Sequence, residues 1–391
     1  MKNPGARQTL SRAVFLVPAG IAMLAGVDAA LLLVGVGAPV SAARLADLHG
    51  MLMVGGFLGT LIAMERAVAL RHPLGYAAPL LLGLGGIVLL TPAPLALGRL
   101  LLVEGALAFV AVYAALWRRN HDDVVIVELL GAVHLAIGAV LWLKVGVPWL
   151  MPWLVGFVVL TICAERVELA RLAMPNTGGR TLVLHASALT MTLVATLVWP
   201  DTGARLTGLV IASLVVWLVR HDVARKTIRA TGLPRFSAAA LLGGYVWLFV
   251  AALAWIVGGA QTEGSTYDLV VHSVMLGFAI SMVMAHAPVI LPAVLRRPLP
   301  YRAVMWGPLA LMHVGLVMRI IFGDVVGRYP IWQAGSVVNV AALLLFFLVA
   351  IGSSVARPPK RQASRARRAT RGEAGTGPSG IPFTPSTRRP S

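Results

Sequence analysis

The chain has 391 residues, of which 58% are hydrophobic and only 12% are charged. Soluble domains carry about 25% charged residues, so this composition excludes a soluble globular protein. The formal net charge is +18, but Lys and Arg lie in short blocks between long apolar runs, which indicates membrane topology rather than nucleic-acid binding. A single cysteine, Cys163, excludes an intrachain disulfide and a cysteine-based metal cage within one chain.

Apolar runs separated by Pro, Gly or charged residues fill most of the chain. At about 20 residues per span, a chain of this length holds about a dozen spans. Each is predicted to be a helix, because a segment surrounded by lipid must satisfy its own backbone hydrogen bonds. The first run also resembles a signal peptide, but it is long for one and we count it as a span. The predicted spans are residues 13–36, 45–66, 76–94, 99–117, 124–143, 149–169, 181–199, 204–220, 237–258, 267–291, 302–322 and 331–354.

The positive charges indicate the orientation of these spans. If the N-terminus is cytoplasmic and the spans alternate, 27 Lys and Arg residues lie on the cytoplasmic side and 6 on the outer side. This asymmetry predicts an all-α polytopic protein of the cell inner (cytoplasmic) membrane, with both termini cytoplasmic and membrane lipid as a partner. Residues 1–12 form a predicted cytoplasmic segment, residues 13–355 the transmembrane bundle, and residues 356–391 a disordered basic tail attracted to anionic lipid.

Histidines inside the predicted spans are the strongest functional signal, since ionisable groups in lipid are costly and usually functional. His49, His272 and His313 fall in the outer half or near the midplane, and His134 lies close to them in depth. His286 lies toward the inner side, and in a regular α-helix it shares a face with His272 at a distance of roughly 21 Å. Neutral imidazole is a strong ligand for iron and copper. The pattern predicts histidine ligation of heme, with copper as a second candidate; the alternative is that these rings make interhelical hydrogen bonds.

A Glu-Arg pair ends two of the predicted spans on the inner side. Glu65-Arg66 recurs as Glu165-Arg166, 100 residues later, each within a Gly-Phe, Ile, Glu-Arg pattern. The repetition indicates helices with similar structural roles. We interpret each pair as an ion pair that anchors its helix at the membrane interface, and the alternative is a proton path.

The segment 48–57, Leu-His-Gly-Met-Leu-Met-Val-Gly-Gly-Phe, and the helices of His272 and His313 resemble the NnrS family. That family comprises twelve-span membrane proteins, and the plan is more distantly similar to subunit I of heme-copper oxidases and nitric oxide reductases. The resemblance implies heme and copper, a role in nitric oxide or respiratory metabolism, and partners such as nitric oxide or an electron donor. It implies His49, His272 and His313 as the ligands. No adjacent His-His pair is present, so an oxygen-reducing heme–copper centre is not expected.

Three functional hypotheses follow from the sequence. The first is a heme-dependent oxidoreductase or other heme-binding membrane protein. The second is a secondary transporter, which the span number, the internal similarity and the intramembrane carboxylates also suit. The third is a non-catalytic sensor or chaperone for metal or heme.

Overall fold

The structure, a computed structural model, describes residues 4–42, 44–171 and 178–355. Over these ranges it is helical and contains no strand. Eleven of the helices in the described ranges are long and apolar enough to cross a membrane, and a twelfth apolar helix, Pro73–Leu89, is shorter. The predicted polytopic helical membrane fold is therefore confirmed. The predicted basic tail, residues 356–391, lies outside the described residues.

A helix occupies each of the twelve predicted spans. We number them α1 to α12 and call their ends inner or outer according to the predicted orientation. They are α1 (Pro4–Val34), α2 (Arg44–Leu70), α3 (Ala77–Leu89), α4 (Leu95–Asn120), α5 (Asp123–Leu141), α6 (Val147–Leu169), α7 (Gly178–Val198), α8 (Pro200–His221), α9 (Leu233–Gly258), α10 (residues 264–295), α11 (residues 306–325) and α12 (Tyr329–Val355).

The helix boundaries follow local chemistry. The predicted break at Trp199-Pro200 is confirmed, because α8 begins at Pro200, where the absence of an N–H costs the helix nothing. Helix α1 begins at Pro4, nine residues before the predicted start of the first span. Ala, Arg, Gln and Leu in that stretch are good helix formers, so the helix continues beyond the apolar run that hydropathy identifies.

The chain closes on itself, since α1 packs against α12 as well as against α2 and α3. A hydrogen bond from Nε2 of Gln333 in α12 to the carbonyl oxygen of Val34 in α1 spans this closure at 3.0 Å. Helix α10 packs against α6, α9 and α11, and α2 packs against α1, α3 and α6. Residues of α2 and α10, the helices that carry His49 and His272, therefore lie inside the bundle rather than at its rim.

Three helices contain π-helical segments, Leu52–Gly59 in α2, Ser273–Ile280 in α10 and Val317–Val325 in α11. A π-helix bonds residues five apart and has a wider turn than an α-helix, and such segments occur frequently at functional sites. The α-helical phase that places His272 and His286 on one face therefore does not apply across the π segment of α10.

Glycine permits close helix contacts at these π segments. A Cβ atom at Gly56 would lie only 2.9 Å from the Cβ of Ala22 in α1. A Cβ at Gly277 would overlap the side chain of Trp247 in α9. A Cβ at Gly323, in the third π segment, would lie 2.5 Å from the side chain of Trp332 in α12. All three widened turns therefore pack directly against a neighbouring helix.

Candidate functional site

A cavity of about 1010 Å³ opens at the outer end of the bundle. Residues of α1, α2, α4, α6, α10, α11 and α12 line it. Apolar side chains such as Phe57, Leu276 and Leu343 form much of its wall, and both His49 and His272 face it. Its volume is at the upper end of the roughly 300–1,000 Å³ typical of cofactor and ligand pockets.

His49 lies on α2 three residues before the π segment. Its Nδ1 atom lies 2.8 Å from the carbonyl oxygen of Gly26 in α1. A carbonyl only accepts, so Nδ1 carries the proton of the neutral ring and donates it to this bond. The Nε2 atom then keeps its lone pair, and it has no hydrogen-bond partner among the described residues. His49 therefore presents Nε2 as an unprotonated nitrogen that is free to bind a metal.

His272 ends the first α-helical part of α10, directly before the π segment. Its Nδ1 atom lies 3.0 Å from Oδ1 of Asp268 and 3.1 Å from the carbonyl oxygen of the same residue. Both are acceptors when the carboxylate is ionised, so Nδ1 donates and Nε2 stays available. Among the described residues Nε2 has no hydrogen-bond partner, as for His49.

Asp268 is itself fixed by two further helices. Arg319 of α11 donates to both of its carboxylate oxygens, at 2.8 and 2.6 Å. The indole N–H of Trp332 in α12 donates to Oδ2 at 3.0 Å. This bidentate ion pair holds the carboxylate in one orientation and thereby fixes the ring of His272.

The two rings have the arrangement found in metal-ligating histidines. Such histidines almost always donate the other ring N–H to a carbonyl or a carboxylate, which sets the tautomer and the ring orientation. Gly26 and Asp268 supply these acceptors here. His272 also lies among the charged or titratable neighbours of His49, so the two imidazoles occupy one electrostatic environment. The donor set therefore fits a metal centre held between α2 and α10.

His313 does not line this cavity. Its Nδ1 atom accepts a hydrogen bond from the indole N–H of Trp247 in α9, at 2.9 Å. Because that indole can only donate, the proton of the neutral His313 ring is on Nε2, and neither nitrogen offers a free lone pair. The ring packs over Gly243, where a Cβ would lie 2.7 Å from it. The structure thus brings together His49 and His272 and places His313 elsewhere.

His134 and His286 also lie away from the cavity. The Nε2 atom of His134 is 3.1 Å from the hydroxyl oxygen of Thr190 in α7, and its ring packs edge-on against Trp153. This contact matches the alternative interpretation of an interhelical hydrogen bond. His286 is buried on the inner side, with Arg166 and Asp222 as its charged neighbours.

The two Glu-Arg pairs differ in their partners. Arg66 contacts Glu65 at 3.3 Å, as predicted, and also Glu165 at 3.2 Å. Arg166 instead pairs with Asp222, through two hydrogen bonds of 2.7 and 2.5 Å. Glu165 thus contacts Arg66 of α2 and Arg166 contacts Asp222, so the second predicted pair is replaced by contacts with other elements.

Asp222 lies just beyond the end of α8 and accepts a further hydrogen bond from the hydroxyl of Tyr245, at 2.7 Å. Burial raises the pKa of this carboxyl, but the hydrogen bonds and charge of Arg166 outweigh burial and leave the pKa below its ordinary value. Asp222 is therefore ionised at neutral pH, and its capacity to accept hydrogen bonds is filled.

Sequence reasoning missed the residues that support the histidines. The spacing of Asp268 and His272, four residues apart on one helix, is a signal that could have revealed their contact. Arg319 and Trp332 come from other helices, and nothing local in the sequence links them to Asp268. The same holds for Glu128 and Glu168, which join Glu65 and Glu165 around Arg66.

A comparison with solved structures gives a heme-copper terminal oxidase dimer determined by cryo-EM, with a TM-score of 0.51 and 13% sequence identity. The match covers 90% of this chain and 83% of that chain. At this identity the similarity shows a common fold, and it agrees with the predicted oxidase-like plan, whereas the predicted NnrS resemblance is not confirmed. None of the curated proteins compared with the chain matches it. A family model matches residues 12–355, and the chain therefore belongs to the family described as Domain of unknown function (DUF8744).

Proposed function

We propose that this protein is a multi-pass heme protein of the cell inner membrane, and that His49 and His272 would hold its heme iron. One observation carries the proposal. Two imidazoles from different helices face one cavity, and each has Nδ1 anchored while Nε2 stays free.

Heme fits this site better than a bare metal ion. Among the described residues, no group of three or more His, Cys, Asp and Glu side chains is arranged to hold a metal. A structural or catalytic site built from protein alone needs three or four such ligands. The porphyrin supplies the equatorial ligands of heme iron, so one or two protein ligands suffice. A copper ion would therefore find only two protein ligands in the described part of the cavity, and they are the same two histidines that would hold heme.

The walls of the cavity suit a flat amphipathic ring. Phe57, Leu276 and Leu343 offer apolar surface to a macrocycle. Arg44 and Arg99 line the same cavity, and their positive charges suit the acidic groups of a porphyrin. A porphyrin with two histidine ligands supplies one-electron transfer. Gly26 and Asp268 hold the two rings in place, so both imidazoles would be kept oriented to hold the group.

The protein's partner in this proposal is an electron donor or acceptor that approaches from the outer side, where the cavity lies. Asp268 and Arg319 would neutralise one another close to the iron, so Asp268 acts as a positioning residue for His272. A transporter would use the same cavity for its substrate, and it would have no need of two imidazoles with free nitrogens.

The test is the heme content of the full-length protein purified in detergent. The wild-type protein should show a Soret band and about one heme per chain. His49→Ala and His272→Ala should each bind heme at least about 100-fold more weakly, since even supporting residues contribute roughly 10- to 100-fold. His313→Ala is the matched control and should retain full heme content. A folded wild-type protein without a Soret band, or full heme content in both ligand variants, would contradict the proposal.

A further inference from the structure

A second group of ionisable side chains lies in the inner half of the bundle, away from the cavity. The guanidinium of Arg66 in α2 contacts four carboxylates from three helices, at 3.2 to 3.3 Å. Glu65 comes from α2, Glu128 from α5, and Glu165 and Glu168 from α6. We call these five residues the Arg66 cluster.

The charges of the Arg66 cluster do not balance. If all four carboxylates were ionised, one positive charge would face four negative charges. The side chain of Glu128 is only 1% exposed, and that of Arg66 is 8% exposed. Adjacent like charges in a buried site disfavour ionisation, so part of this charge must be neutralised by something bound.

The described side chains of the neighbouring helices do not supply the missing positive charge. Arg119 of α4 donates to the carbonyl oxygens of Ala69 and Leu70. Arg171 pairs with Asp122, the N-cap residue of α5. Where α10 packs against the inner half of α2 it brings His286, whose charged neighbours Arg166 and Asp222 neutralise one another. The 3₁₀ turn before α3 brings Tyr76, which packs against Phe15. Among the described side chains, Arg66 is thus the only cation in contact with these carboxylates.

Unpartnered polar atoms point to a ligand in the Arg66 cluster. Oε1 of Glu128 lies 3.3 Å from a guanidinium nitrogen of Arg66, but it accepts no hydrogen bond from any described residue. The hydroxyl of Tyr113 in α4 also lacks one there, although this residue is 0% exposed. The charged neighbours of the Tyr113 hydroxyl are Glu128, Arg66, Glu65 and Glu165. Buried polar groups are nearly always satisfied by protein or ordered water, so these atoms indicate protons and water between the carboxylates.

The available ligands indicate which cation is bound to the Arg66 cluster. No group of three or more metal-binding side chains in the described residues has the geometry for a metal ion. A proton needs no coordination shell, and it converts a carboxylate into a hydroxyl donor for a neighbouring oxygen. We propose that the Arg66 cluster is a proton-binding site that exchanges with the inner aqueous phase.

The exposed fractions of the glutamate side chains indicate the route by which protons exchange with water. The side chain of Glu168 is 46% exposed at the inner end of α6, whereas Glu128 is almost completely enclosed. A hydronium ion gives its proton to a carboxylate oxygen, the new O–H bond neutralises one negative charge, and water leaves. Transfer between carboxylates around Arg66 then brings the proton to Glu128. This site is independent of the proposed heme.

Infrared spectroscopy of the full-length protein in H₂O and D₂O tests the proposal. At neutral pH the wild-type protein should show the C=O stretch of a protonated carboxylic acid, which shifts in D₂O and disappears as pH is raised. Glu128→Gln should remove most of this band. Glu263→Gln is the matched control, since Glu263 is exposed at the outer end of the bundle, and it should leave the band unchanged.

The proposal is overturned if the Glu65→Gln, Glu128→Gln and Glu165→Gln variants all have the carboxylic-acid band of the wild-type protein. If Glu128→Gln fails to fold, the other two variants and the pH titration of the wild-type protein decide the question. The vibration belongs to a carboxyl group, so it can be measured whether or not heme is bound. A failure of the heme proposal would therefore leave this result interpretable.

Discussion

The two histidines at the outer end and the Arg166–Asp222 pair at the inner end use ionisable side chains in opposite ways. At the outer end, His49 and His272 each keep one nitrogen free and face an open cavity. At the inner end, Arg166 and Asp222 fill one another's hydrogen-bonding capacity, with help from Tyr245. Free binding atoms beside a cavity indicate a ligand site, and saturated ones indicate structure. Substitutions of the two histidines should therefore change bound heme, and substitutions of Arg166 or Asp222 should change stability.

The largest effect on stability is expected for Arg166→Met. It leaves Asp222 buried and ionised without its partner, and breaking a buried pair in this way costs about 3–5 kcal/mol. Thermal unfolding in detergent should show the loss, while the Soret band of the folded fraction should stay as in the wild-type protein. Arg171→Met is the matched control, since its pair with Asp122 is more exposed and such pairs contribute about 0–1 kcal/mol. Equal losses of stability in both variants would contradict the proposed difference between the buried pair and the exposed pair.

Asp268→Asn should have an intermediate effect, confined to the outer end. It removes the charge that fixes His272 and leaves Arg319 without a carboxylate partner, so heme affinity should fall roughly 10- to 100-fold. Titration of the apoprotein with heme measures this change. Asp47→Asn is the control, because Asp47 lines the same cavity but makes no contact with His272. If both variants bind heme like the wild-type protein, Asp268 does not position a ligand.

Thr190→Val should have the smallest effect. It removes the hydroxyl that contacts His134, and interhelical hydrogen bonds in membrane proteins contribute about 0.6 kcal/mol on average. A small decrease in unfolding temperature and an unchanged heme spectrum are expected. A change in the spectrum would instead make His134 part of the cofactor site and weaken the distinction drawn between the histidines.

Hydropathy and charge distribution sufficed to predict the twelve helices, because lipid imposes length and apolar composition on each span separately. The π segments escaped prediction, since the same apolar residues satisfy α- and π-helical bonding. The side of a helix on which a histidine lies depends on packing. His313 faces α9 because Gly243 makes room for its ring and Trp247 donates to it, and both residues lie about 70 positions earlier in the chain.

The supporting contacts of the site were also beyond sequence reasoning. Asp268 is fixed by Arg319 and Trp332, which are 51 and 64 residues distant along the chain. Arg166 finds its partner in Asp222, 56 residues away. A single sequence carries no signal for such tertiary pairs, whereas the contact between Asp268 and His272 follows from helical spacing.

The account depends most on both imidazoles binding the same iron, and electron paramagnetic resonance of the oxidised protein tests this directly. The wild-type protein should show a low-spin centre with two imidazole ligands. His49→Gly and His272→Gly, loaded with excess heme, should each become high-spin and return to low spin when free imidazole is added. A high-spin wild-type protein, or a variant that stays low-spin without added imidazole, would contradict the assignment of His49 and His272.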